Sequence, residues 1–345
     1  MNSFRRHRIR VALLVAAGLS ALGLTAGLAF ARGTATRIGT GVVVIETNLG
    51  YEGGQAAGTG MVLTPSGRVL TNNHVINGAT TIRVVVPGTA RSYAARVLGY
   101  SVTSDVALLQ LSGASNLKTV STAASARLRI GQPVKALGNA NGTGSLTAAA
   151  GKIIGLGKTI TAGDEEGHAE RLTGLIETDA NVQPGDSGGP LLDASGRVVG
   201  MDTAASTGSG FGIAFRTPTS DAYAIPIGKA LAVAGRIAAG ESSATVHVGG
   251  TAFLGVEVQA ASDGFGETAP GALIAAVVPG GPADSAGLAP GDVITAVDGR
   301  AITTPQSLTT VVLSKKPGAA VQVTYTDQTG ASGAVTLTLG SGPPQ

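Results

Sequence analysis

The densest chemical signal in the chain is Gln183-Pro184-Gly185-Asp186-Ser187-Gly188-Gly189-Pro190. A serine set among glycines lets backbone come close to a substrate and aim amide hydrogens at a developing oxyanion. In a sequence with 53 glycines, the same run also reads as a plain turn. A serine nucleophile needs a base, and the chain has four histidines. His7 lies in an Arg-rich start, His168 ends a charged run from Gly163, and His247 sits among small residues. His74, in Leu70-Thr71-Asn72-Asn73-His74-Val75-Ile76, follows an apolar run where a strand would end, and elimination makes it the candidate base. A third group must be an acid that orients the imidazole and stabilises its charged form. Asp105, at the mouth of the apolar run Val106 to Leu111, fits that need; Asp179 and Asp202 stay open as alternatives with structural readings.

Gly185 to Gly189 also satisfies G-x-S-x-G, so the nucleophile elbow of an α/β-hydrolase is a rival. That fold requires a helix directly after the serine and a histidine later in the chain. Residues 190–200 instead read as strand, turn, strand, and the histidine downstream is His247. The elbow fails on both counts.

The elements that must position these groups read as strands. Short apolar runs alternate with turn signals at Val42 to Ile45, Gly60 to Leu63, Arg68 to Thr71, Thr81 to Val86, Tyr93 to Gly99 and Val106 to Leu111. They continue at Pro133 to Leu137, Gly151 to Leu156, Gly174 to Glu177, Pro190 to Asp193, Val198 to Asp202 and Phe211 to Phe215. Pro65-Ser66-Gly67 is a hairpin turn. Twelve such runs fit two six-stranded barrels, and Gly138 to Gly151 is a Gly-rich loop. The period turns helical between Ile227 and Ile237. A second unit from Thr251 has strand runs at Phe253 to Val258, Ala272 to Val278, Asp292 to Val297, Val321 to Tyr325 and Ala334 to Leu339. A helix spans Pro305 to Leu313, with Thr304 as N-cap.

Composition narrows the function classes. With 43% hydrophobic, 13% charged and only 3% aromatic residues, the cores are built from Val, Ile, Leu and Ala. The basic balance comes from Arg5, Arg6, Arg8 and Arg10; past residue 31 there are 20 Lys+Arg against 21 Asp+Glu, which removes the case for nucleic-acid binding. Those arginines, the apolar run 11–28 and Ala29-Phe30-Ala31 form an export signal, or a signal anchor holding the chain to a membrane through residues 11–28. The absence of cysteine excludes disulfides, thiol nucleophiles and thiolate metal sites, and no metal or cofactor is expected.

Thr71-Asn72-Asn73-His74-Val75, Ser104-Asp105-Val106-Ala107 and Gly185-Asp186-Ser187-Gly188-Gly189-Pro190, in the chymotrypsin order, resemble the three signatures of HtrA/DegP-type proteases. Within that family the sequence is similar to the secreted PDZ-bearing serine proteases of actinobacteria, over residues 41–340. The run Val278 to Ile294, with Gly291-Asp292 and Val297-Asp298-Gly299, resembles a PDZ domain. The resemblance implies a mainly β chain, a chymotrypsin-like double six-stranded β-barrel followed by a PDZ domain, with the site between the barrels. The domains expected are a leader at 1–31, a protease at 37–238, a linker at 239–250, a PDZ domain at 251–340 and a loose tail at 341–345.

Carried over by resemblance, His74 is the general base, Asp105 orients it, Ser187 attacks, and the amides of Gly185 and Ser187 form the oxyanion hole. Asn181 stands at the pocket position that is acidic in trypsin-type specificity, so the expected cleavage is after small or medium apolar residues. Leu254, Gly255 and Val256 would bind a peptide carboxylate, with Leu308 and Val311 lining the groove. One residue departs from the pattern: many relatives have Asn before the serine, and Asp186 needs a partner of its own. The activity implied is an exported endopeptidase of the cell envelope or exterior, acting on unfolded proteins and recognising peptide C-termini. A peptide-binding or chaperone protein with a vestigial site is the alternative, and a protease controlled by peptide at the PDZ domain is a third reading. Relatives assemble as homotrimers through N-terminal aromatic residues, of which Arg32 to Glu46 has none, so the assembly stays open.

Overall fold

The computed structural model describes residues 39–51, 53–89, 91–123, 127–163, 169–205, 222–262 and 268–345. The leader, His168 and the expected strand at Phe211 to Phe215 lie outside them. No helix among the described residues is long and apolar enough to cross a membrane.

Six strands, β1 (Val42–Leu49), β2 (Gly54–Val62), β3 (Arg68–Thr71), β4 (Thr81–Val85), β5 (Ser92–Ser101) and β6 (Val106–Leu111), run in the sheet order β5-β4-β1-β2-β3-β6. Pairing of β5 with β6 closes this sheet on itself. Its interior is the apolar set the composition called for, with Val43, Ile45, Val69, Ile76, Val84 and Leu109 almost fully buried. The β2–β3 hairpin turns at Gly67, whose φ of +90° explains glycine there.

The second barrel is β7 (Pro133–Gly138), β8 (Thr147–Gly163), β9 (Ala169–Thr178), β10 (Pro190–Leu192), β11 (Val198–Ala205) and β12 (Ala222–Pro226), closed in the order β10-β11-β12-β9-β8-β7. Its twelfth strand was missed in the sequence: Ala222 to Pro226 is short and runs straight into the helix α1 (Ile227–Ala239), so helical periodicity masked it. α1 buries Ile227, Ala230, Val233, Ala234 and Ile237, one face at helical spacing, against β5, β6 and β11.

The expected linker carries the two-residue strand β13 (His247–Val248), which pairs with β5 and stacks His247 on Tyr100. Beyond it, the run expected at Phe253 to Val258 divides into β14 (Thr251–Phe253) and β15 (Val256–Ser262), because Gly255 takes a φ of +82°. The rest comprises β16 (Thr268–Val277), α2 (Pro282–Ser285), β17 (Val293–Val297), β18 (Arg300–Ala301), α3 (Pro305–Leu313), β19 (Ala320–Thr326) and β20 (Ser332–Thr338). α3 starts as read from the sequence: Thr304 and Ser307 form a reciprocal capping box, with Pro305 next.

The loose tail is a correction. Gly340–Gly342 form β21, antiparallel to β14, and Pro343 and Pro344 are buried. The carbonyl of Pro344 accepts from Gly78 N–H at 2.9 Å, and that of Gln345 from Asn73 Nδ2 at 3.0 Å. A Gly/Pro/Ser string gives no periodicity of its own; its order comes from the surfaces it lies on.

Candidate active site

His74 follows β3 in a turn closed by Ile76 and Asn77 N–H donating to the Asn73 carbonyl. Asp105 ends a 3-10 turn at φ +49°, a left-handed conformation that Asp tolerates better than most residues. That geometry turns its buried carboxylate back toward His74, whose Nδ1 lies 2.9 Å from Oδ2 and 3.0 Å from Oδ1. The His74 backbone N–H also donates to Oδ1, and Asn72 Nδ2 donates to the Asp105 carbonyl. From the second barrel, Thr203 Oγ1 on β11 donates to Asp105 Oδ2. The alternatives to Asp105 have other places: Asp179 accepts from Lys152 N–H at a strand end, and the carboxylate of Asp202 is fully buried and accepts no hydrogen bond among the described residues.

Ser187 is brought to the same place by backbone. Thr59 N–H on β2 donates to the Ser187 carbonyl at 2.8 Å, and Gly188 N–H donates to the Asp202 carbonyl, one residue before Thr203. A side chain at Gly58 would strike Val75 and crowd the Ser187 carbonyl, and one at Gly188 would strike the Thr59 carbonyl and Thr71 Oγ1. Glycines at both positions therefore let the serine turn seat against the histidine's barrel.

The turn has the form an oxyanion needs. The Pro184 carbonyl accepts from Asn141 N–H at 2.6 Å, and because the peptide is planar and trans, Gly185 N–H points the opposite way. Neither that N–H nor that of Ser187 is engaged among the described residues. Asn181 is exposed and its Oδ1 accepts from Gln183 Nε2.

In the C-terminal unit, Leu254, Gly255 and Val256 line a cavity with Phe253, Leu308 and Val312. The expected Val311 is a correction. It is turned into the core, and Val312, one turn after Leu308, lines the cavity instead. No Lys or Arg among the described residues lines it, and Gln345 is part of its lining.

Two family matches fit these two halves: the trypsin-like peptidase domain over residues 58–201 and the PDZ domain over 252–330. The serine protease PepD of Mycobacterium tuberculosis is 34% identical over 316 residues, 89% of this chain and 65% of that protein. A probable periplasmic serine endoprotease, DegP-like, of Rhizobium meliloti is 32% identical over 297 residues, 84% of this chain and 54% of that protein. The chain thus spans between half and two thirds of these relatives' length. The solved HtrA-type protease AlgW with tripeptide covers 91% of this chain and 98% of its own at a TM-score of 0.51 and 28% identity.

The chain belongs to the HtrA-type serine proteases.

Two residues of this HtrA-type site escaped the sequence reading. Thr59, fully buried, joins the barrels: its Oγ1 donates to the Gly185 carbonyl at 2.7 Å and accepts from Asn139 N–H at 2.9 Å, while its carbonyl accepts from Thr71 Oγ1. Thr203 is the other. The one signal for Thr59 is its position in Gly58-Thr59-Gly60, a strand stripped of neighbouring side chains; nothing marks Thr203 beyond a strand end. The partner sought for Asp186 is also visible. Its Oδ2 accepts from Gln183 N–H at 2.9 Å, and burial pushes its carboxyl up to about 6.

Proposed function

We propose that this chain is an extracytoplasmic serine endopeptidase that cleaves unfolded proteins by acyl-enzyme chemistry, with a PDZ groove for peptide C-termini. The observation that carries this reading is the His74–Asp105 pair, held from both barrels beside a serine turn with two unengaged amides. In this reading Asp105 keeps Nδ1 protonated, which leaves Nε2 as the base that takes the Ser187 proton as Oγ attacks the scissile carbonyl. Negative charge develops on the carbonyl oxygen, and the N–H groups of Gly185 and Ser187 receive it; each such donor is worth roughly 100-fold or more in turnover. The imidazolium returns its proton to the leaving amine, and water repeats the cycle on the acyl enzyme.

Asn181 brings no charge to the pocket, which favours small or medium apolar residues before the scissile bond. Leu254 and Gly255 N–H groups, unengaged among the described residues, suit a carboxylate, with Leu308 and Val312 for the last side chain. The periplasmic naming of the Rhizobium relative supports a site of action outside the cytoplasm. A fluorophosphonate probe should label the leaderless protein, and Ser187→Ala should abolish labelling; an unlabelled wild type in the presence of unfolded substrate would sink the protease reading.

A further inference from the structure

Behind the serine turn lie two carboxylates the mechanism above does not use. Asp186 and Asp202 are buried, and Asp186 Oδ1 and both carboxylate oxygens of Asp202 accept no hydrogen bond among the described residues. Backbone bonds lock the two residues together: Gly188 N–H donates to the Asp202 carbonyl, Asp202 N–H to that of Gly189, and Gly189 N–H to that of Asp186. The elements packed on the pair bring it no charge among the described residues. They are β2 at Thr59, the end of β7 at Gly138, the turn at Asn139 and β12 at Ala224. Gly138 has no side chain because a Cβ there would sit 2.6 Å from Asp186 Oδ1. The other titratable groups on this side, Asp105 and His74, lie past Thr203.

Two buried carboxylates with a single donor between them cannot both be ionised. Burial raises both, and the charge of Asp186 raises Asp202 further, well above the ordinary carboxylate range. Asp186 has one donor, the Gln183 N–H, that favours its charged form; Asp202 has none. The asymmetry decides which of the two keeps a proton.

We propose that Asp186 and Asp202 are a positioning pair holding one proton between them, the Asp202 carboxyl donating to Asp186 Oδ1, and that this bond fixes the amides of Gly185 and Ser187 in their outward orientation. Asp186 stands between those two amides, so a bond from its side chain to β11 restrains the peptide planes on both sides. The pair touches no substrate and acts through the turn. It rests on the protease reading, and the tests separate the two.

Asp202→Ala removes the donor and leaves a buried carboxylate beside the turn. The expected loss is about 100-fold in kcat toward a small active ester, the scale of one oxyanion donor, with KM little changed. Asp202→Asn supplies an amide N–H in the same place and restores most of the loss. A folded Asp202→Ala enzyme with wild-type kcat, or an Asp202→Asn enzyme as impaired as Asp202→Ala, overturns the pair. Infrared difference spectra decide the point independently of turnover and of whether Asp202→Ala folds. At mildly alkaline pH the wild type should show the carbonyl stretch of a protonated carboxyl that Asp202→Asn lacks, and its absence from the wild type also overturns the proposal. If the protease reading itself is wrong, the wild type neither labels nor turns over, while the infrared band is still readable.

Discussion

Thr59 shows how much of this site hangs on single hydroxyls. It donates to the Gly185 carbonyl and accepts from Asn139 N–H, in the turn whose Asn141 N–H holds the preceding Pro184 carbonyl. Thr59→Val keeps the volume and removes both bonds, leaving the buried Asn139 N–H without a partner at a cost of about 1–3 kcal/mol and freeing the half-buried Gly185 carbonyl at a smaller one. The expected outcome is a lower melting temperature together with a fall in kcat at near-constant KM, read by thermal denaturation and active-ester turnover. Asp186 and Asp202 set the pH dependence of folding at the same scale. Their folded pKa values lie above the unfolded ones, so their contribution is full below the ordinary carboxylate pKa; the part from Asp186 is lost as pH rises through about 6, and that from Asp202, raised further by burial and by the charge of Asp186, is lost at higher pH. At this scale the sequence was legible where chemistry restricts the residue type, as for His74, Asp105 and Ser187. It was silent for Thr59 and Thr203, because a threonine on a strand has the same local signature whether its hydroxyl meets a carboxylate or packs in a core.

Among the elements, strands were read from alternation and turn chemistry, and the runs that failed are instructive. β12 is five residues long and adjoins a strongly periodic helix, so the helical pattern absorbed it. Phe253 to Val258 looked continuous because apolar content does not register the backbone reversal at Gly255, the feature that frees amides for a carboxylate. On α3 the error was one residue. Leu308, Val311 and Val312 are all buried, and only the direction of the helix against the sheet decides which of them faces the groove. Val312→Ala should therefore weaken binding of a C-terminal peptide, measured by fluorescence anisotropy, as well as lower stability, since its side chain is also part of the core. Val311→Ala should lower stability by roughly 1–3 kcal/mol through the cavity it leaves while sparing affinity.

For the whole molecule, residues 340–345 tie the C-terminal unit to the first barrel. β21 pairs with β14 at the groove, Pro344 and Gln345 accept from Gly78 and Asn73, and Tyr51 stacks on Phe253 with ring centroids 5.2 Å apart. Asn73 immediately precedes His74, so the groove and the base share a strap. Removing residues 341–345 should expose the Gly78 amide and the Thr251–Phe253 strand to hydrogen exchange while leaving the second barrel protected; unchanged protection at Gly78 would show that the strap bears no load. The sequence by itself carried strand runs enough for two β-barrels and the candidate base and nucleophile, His74 and Ser187, because strand alternation, turn residues and nucleophile chemistry are written locally; the choice of Asp105 and the PDZ unit came through motifs that resemble a known family. The tertiary structure alone decided that the glycines at 58 and 188 let the barrels close on the serine, that backbone bonds lock the buried residues Asp186 and Asp202 together, and that the last six residues are a strap. Each of these depends on contacts between segments far apart in the chain, and no local pattern of residues records which segments meet.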